Sequence, residues 1–201
     1  MKTQAYLPAS VNPADPQAAW LVQSALSEDA HRELKAHAEA QGAKYFASVF
    51  DKASAFFIAQ LCGRIKIAST EAMSDWWQAA DDIADDPCYV SFPWGINDCL
   101  GLPKDTVRFA TVPLYPTPLE AMRRVEWMPG WSDHCVGLAA CYSMIHYGST
   151  FIEVHVSLPG EGRNCVFDKT QDDLKRIKDW MGEVQVMRTG VSKTFRQRWV
   201  R

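Results

Sequence analysis

Short apolar runs such as KYFASV (44–49), CYVSF (88–92) and TFIEVHVSL (150–158) alternate along this chain with segments of helical pattern. No other feature constrains the fold as tightly. The alternation is the layout of β/α units around a parallel sheet, and no repeat or low-complexity tract interrupts it. At 201 residues, 47% of them hydrophobic, the chain can bury a full core without disulfides. The expectation is one domain over residues 1–201, with a C-terminal tail at 184–201.

Local signals place the elements. Ser27 is a cap for a helix whose first turn holds Glu28 and Asp29, where the helix dipole favours acids, and Gly42 ends it. Asp51 caps an apolar helix at Ala53–Leu61, closed by Gly63. Further helices are predicted at Met73–Ala80, Cys135–Tyr147 and near Gln171–Gly182. Strands are predicted at 2–7, 44–49, 64–69, 88–92, 107–114, 126–133 and 150–158. The stretch WGINDCLGLPK (94–104) is rich in turn formers, so one crossover helix is expected to be short or absent. The resulting fold class is α/β: a TIM-type (β/α) barrel, incomplete or irregular, with about seven parallel strands.

Composition narrows the function. The formal net charge is −3, and no basic cluster precedes the final KTFRQRWVR, which argues against a nucleic-acid partner. No apolar run approaches the roughly 20 residues of a membrane helix, and MKTQAYLPAS has no apolar signal core. A cytoplasmic, soluble protein is therefore expected. The six cysteines show no CxxC pair or regular spacing, and read as reduced buried thiols.

Polar residues fall near the C-terminal ends of different predicted strands: Lys66 and Ser69, Ser91, Tyr115, Ser132 to His134, and His155. In a parallel β/α barrel that end carries the active site, because its loops vary without disturbing the core. His134 and His155 end consecutive strands, which lie about 4.8 Å apart, close enough for two imidazoles to share an ion. Asp133 is placed to orient a ligand. The same spacing also fits two half-buried histidines bonded to backbone. Lys66, inside an apolar strand, either meets a phosphate or carboxylate or extends to solvent at the strand end.

The segment GWSDHCVGLAACYSMIHYGSTFIEVHVSL (130–158) resembles the sialic acid synthase signature, a G-[YF]-S-D-H-x-x-G turn, a helix, a Gly and an I-E-K-H strand. SEDAHRELKAHAEAQGAKYFASVFD, KIAS, the VSF strand and LYPTPLE are similar to other family segments in family order. The resemblance runs from Lys2 to about Gly182. It implies a metal-dependent enzyme of carbohydrate biosynthesis, a transferase that condenses phosphoenolpyruvate with an N-acetylated amino sugar, N-acetylmannosamine-like, to form a nonulosonic acid. It implies His134 and His155 as ligands of Mn2+ or Mg2+, catalytic together with Lys66. Lys2, Ser48, Lys66, Ser69, Ser91, Tyr115 and Ser132 would bind phosphoenolpyruvate, and Asn164 the sugar.

Departures from the family qualify the activity. Pro113 stands at an asparagine position, Val154 at a lysine, and Asn164 at an aspartate. The family's first strand, with its sugar-contacting glutamate, would precede Lys2, and its antifreeze-like domain would follow Arg201. The expectation is a barrel without either, completed by a homodimer, by a partner chain, or by segment 8–26. Pro8, Pro13 and Pro16 weigh against that segment as a central strand. The alternative function is a non-catalytic or split-enzyme subunit that keeps the barrel and a metal or anion site.

Overall fold

A computed structural model describes residues 1–94, 105–157 and 165–189. The expected irregularity at 94–104 lies, beyond Trp94, outside the described residues, as does Asn164. Seven strands succeed one another in chain order, β1 to β7, and every described ladder is parallel. This is the α/β succession of a (β/α) barrel. The chain packs as two compact units. Among the described residues, one comprises 1–91 and 105–107, the other 92–94 and 108–189.

The first unit contains β1 (Lys2–Ala5), β2 (Phe46–Val49), β3 (Lys66–Ile67) and the start of β4 (Tyr89–Pro93). The capping residues act as the sequence predicts. Ser27 Oγ accepts the Ala30 N–H at 3.2 Å to start α2 (Glu28–Ala40), which follows the short α1 (Ala18–Ser24). Asp51 Oδ1 accepts the Ser54 N–H at 2.8 Å to start α3 (Lys52–Cys62). Gly63 closes α3 at φ +68°, a left-handed conformation that a side chain would strain. The outward sides of the strands bury Ala47, Val49, Ile67 and Val90, all fully inaccessible, in a core shared with Ala55 and Ile58 of α3.

The helix expected at Met73–Ala80 does not form over that span. Only α4 (Gln78–Asp81) is helical, and Met73 is 81% exposed. Trp77, fully buried, anchors the segment instead; one large aromatic in the core removes the need for an amphipathic face. Segment 8–26 forms a turn of 3-10 helix at Pro8–Ser10 and then α1, not a strand.

The second unit contains β5 (Val107–Thr111) from Arg108 onward, β6 (Gly130–Asp133) and β7 (Phe151–Val154), with α5 (Ala139–Tyr147) and α6 (Gln171–Thr189). Strand β6 is shorter than the expected 126–133, since Pro129 has no N–H to give to a ladder. Residues 184–189 of the expected tail are the last turns of α6, and 190–201 lie outside the described residues. Among the described residues no helix is long and apolar enough to cross a membrane.

Gly130 is required by a close approach, since a Cβ there would lie 2.5 Å from Cγ of the Phe109 ring, which covers it from β5. Gly130→Ala is expected to destabilise by about 1–3 kcal/mol through overpacking. Urea unfolding of the variant, and of Gly130→Ala combined with Phe109→Ala, checks the cause: the double variant should be less sensitive to the added methyl than additivity predicts.

Candidate functional site

Parallel register decides which side chains share a face. Lys2 pairs with Phe46, Gln4 with Ser48, Ser48 with Lys66, and Lys66 with Tyr89. Side chains alternate along a strand, so Lys2, Gln4, Ser48, Lys66 and Ser91 all lie on one face, opposite the core residues Ala47, Val49 and Ile67. Lys2 Nζ donates to Ser48 Oγ at 2.8 Å. Lys66 Nζ donates to Ser91 Oγ at 2.5 Å and to the Ile67 carbonyl at 3.0 Å. Lys66 is only 2% exposed, so the reading in which it extends to solvent is excluded. Two ammonium groups set among serine hydroxyls have the composition of an anion site. Ser69 sits half-buried in the turn after β3.

The floor of this face is aromatic. Phe46 stacks on Tyr89 with centroids 5.3 Å apart, and the Arg64 guanidinium lies 5.9 Å from the Tyr89 centroid. Arg64 also pairs with Asp86, which holds the Asp86 carboxyl below the usual carboxylate range.

In the second unit, the register Phe109–Gly130 and Thr111–Ser132 continues as Ser132–Glu153. Thr111, Ser132 and Glu153 therefore share a face, and His134 and His155 follow on it, each one residue past its ladder. The two imidazoles lie 5.2 Å apart, centroid to centroid, nearly perpendicular. Tyr115 covers His134 at 4.1 Å, and the Phe167 ring touches both, at 6.0 Å from His134 and 5.3 Å from His155. Tyr115 is half exposed, whereas His134 and Phe167 are buried.

His134 Nδ1 lies 3.4 Å from the Val112 carbonyl and 3.4 Å from Thr111 Oγ1, whose own proton goes to the Ser132 carbonyl. A carbonyl only accepts, so Nδ1 carries the hydrogen and Nε2 keeps its lone pair. Burial lowers the His134 pKa to about 4, with neighbouring His155 acting in the same direction. A neutral imidazole beside a second imidazole has the donor chemistry to hold a divalent cation. Among the described residues no group of three His, Cys, Asp or Glu is arranged to hold a metal ion. The protein would supply two nitrogens and leave the other positions to water or substrate.

Asp133 does not orient either imidazole, as the sequence suggested. It points to the other side of β6, where it accepts from Trp131 Nε1 at 3.0 Å and pairs with Lys169 at 2.9 Å. Lys169 and Phe167 escaped the sequence reading, since FDKTQDD looks like a solvated approach to a helix. A buried lysine there has no local signal. Cys88, Cys135 and Cys141 are buried free thiols, with Cys135 pushed up to about 12 by burial, so they remain protonated.

The sequence model of the NeuB family matches residues 1–78. Over that stretch the chain is similar to the NeuB family. That match covers the strands bearing Lys2, Ser48 and Lys66; the histidine segments lie beyond it and are placed by the fold. The fold is similar to that of N-acetylneuraminic acid (sialic acid) synthetase from Leptospira borgpetersenii, solved with citrate, at TM-score 0.77 and 16% identity over 94% of this chain and 73% of that one. It is also similar to a putative spore coat polysaccharide biosynthesis protein E from Chromobacterium violaceum, at TM-score 0.71 and 18% identity over 94% of this chain and 64% of that one. A third is the Bacillus subtilis protein SpsE, also of spore coat polysaccharide biosynthesis, at TM-score 0.67 and 20% identity over 96% of this chain. The chain spans 64% and 61% of the lengths of the latter two. No curated protein matches the sequence.

A histidine whose pKa is lower folded than unfolded binds fewer protons folded, so its stabilising contribution is present above the unfolded value of about 6.5. It is lost as pH falls towards the folded value, which is about 4 for His134. His31, buried against Tyr45, is lowered by burial and acts in the same direction. We expect the metal-free unfolding midpoint to fall as pH drops from about 6.5 towards about 4, with the ring signals of His134 titrating near pH 4 in NMR spectra. Titration at the ordinary histidine value would contradict the burial.

Proposed function

We propose that this chain is a sialic acid synthase-like enzyme that condenses phosphoenolpyruvate with an N-acetylated amino sugar. The observation that carries the reading is the single strand face on which Lys2, Ser48, Lys66 and Ser91 converge, with both ammonium groups donating to hydroxyls. Such a face is built for an anion with several oxygens. Phosphoenolpyruvate offers a phosphate and a carboxylate, and Ser69, in the turn after β3, would join in its recognition.

In the proposed reaction the enolpyruvate methylene carbon attacks the sugar aldehyde. Water attacks the resulting oxocarbenium carbon, and phosphate leaves. Mn2+ or Mg2+ held by His134 and His155 would polarise the aldehyde oxygen. The residues of the chain have simpler tasks. Lys2 and Lys66 neutralise phosphate and carboxylate, and the serine hydroxyls fix their orientation. The Phe167 and Tyr115 rings exclude water from the imidazoles. Asn164 would face the sugar. The NeuB match and the synthetase fold support this assignment.

The test mixes purified protein, Mn2+, phosphoenolpyruvate and N-acetylmannosamine or related sugars, and follows phosphate release. Release that falls by about 100-fold or more in Lys66→Met, with folding unchanged by circular dichroism, is the expected result. No release with any sugar would overturn the catalytic reading. Mn2+ binding without turnover would then favour a non-catalytic or split-enzyme subunit. Mn2+ binding that survives His155→Ala undiminished would remove the proposed metal site.

A further inference from the structure

Lys169 is the most completely enclosed cation among the described residues, 1% exposed, and it belongs to no substrate-binding group named above. Its Nζ lies 2.9 Å from Asp133 Oδ2, 2.6 Å from the Cys135 carbonyl and 2.9 Å from the Phe167 carbonyl. The two carbonyls accept hydrogen bonds from the ammonium, and the Asp133 carboxylate lies beside it as its ion-pair partner. Two of those oxygens belong to the residues on either side of His134. The third belongs to the residue whose ring lies against both imidazoles.

The main chain of Lys169 holds the other histidine. Its N–H donates to the His155 carbonyl at 2.8 Å, and Val156 and Lys169 form an isolated parallel bridge. This matters because His134 and His155 both lie past the ends of their ladders. Strand pairing, which fixes β6 against β7 up to Asp133 and Val154, does not reach them. One residue spans the gap.

We propose that Lys169 is a positioning residue for the imidazole pair: its ammonium ties the end of β6 and the Phe167 carbonyl to the segment that holds the end of β7. The inference rests on the pair being the working group of the proposed function. Stability alone does not account for the arrangement. Buried ion pairs add little net stability, and apolar residues of similar volume often replace them without loss. What an apolar pair does not supply is a three-point hold on carbonyl and carboxylate oxygens beside a candidate ligand. Partners of this kind, one shell out from a metal, typically set affinity by roughly 10- to 100-fold.

Two variants separate position from stability. Lys169→Met alone strands the Asp133 carboxylate in the core, and its unfolding midpoint should drop by on the order of 10 °C. Lys169→Met with Asp133→Asn removes the stranded charge while the substituted side-chain amide oxygen still accepts from Trp131, so most of that midpoint should return. The affinity of the double variant for Mn2+ alone, measured by calorimetry, should nevertheless stay roughly 10- to 100-fold below that of the unaltered chain. Its metal-free His134 and His155 ring resonances should also move or broaden.

A double variant with the midpoint restored, Mn2+ affinity unchanged and ring resonances unmoved would overturn the proposal and leave Lys169 a purely structural residue. If the unaltered chain binds no Mn2+ but the ring resonances of the double variant still move, positioning stands and the metal reading falls. If the chain binds no Mn2+ and the rings do not move, both fall.

Discussion

Parallel pairing gives each residue a fixed neighbour on the next strand, and alternation sends neighbours in register to the same face. Most of the candidate chemistry in this chain follows from that constraint. Lys2, Ser48, Lys66 and Ser91 are spread over almost half the sequence, yet the ladders β1 to β4 leave them no choice but to share a face. Ser132 and Glu153 are paired by the same rule, and the histidines follow them at the strand tips. A shift of one residue in any ladder would turn the lysines or imidazoles into the helix layer, where a charge is costly to bury.

Burial then gives these polar groups their character. Lys66, almost inaccessible, lies against a serine hydroxyl and a carbonyl, so its charge is set among groups that suit an anion. His134, under Tyr115 and Phe167, is kept neutral, and its Nδ1–H faces a backbone carbonyl. The first unit thus holds cationic groups, and the second holds a neutral donor nitrogen.

Much of this was legible in the sequence. Caps at Ser27 and Asp51 and the stop at Gly63 act within a few residues, so local chemistry predicts them. The strands were placed within a few residues for the same reason, although β6 is cut short by Pro129. The helix expected at Met73–Ala80 failed because buried Trp77, a tertiary contact, holds that segment without a helical face. The histidine pair gained its meaning from the neighbouring GWSDH and IEVH segments more than from its own spacing.

By itself the sequence determined the β/α succession, the capped helices, the face on which each strand residue lies, and the residue types of the candidate anion and metal site. Only the tertiary structure decided what surrounds them. Lys169 reaches the Cys135 carbonyl across 34 residues of chain, and the Phe167 ring meets both imidazoles from a segment with no strand or helix period of its own. Neither contact leaves a local trace, because both depend on where the chain returns after β7. A lysine at a solvated helix approach and a lysine enclosed at a strand end have the same neighbours in sequence. What distinguishes them is the set of oxygens that folding brings to the ammonium.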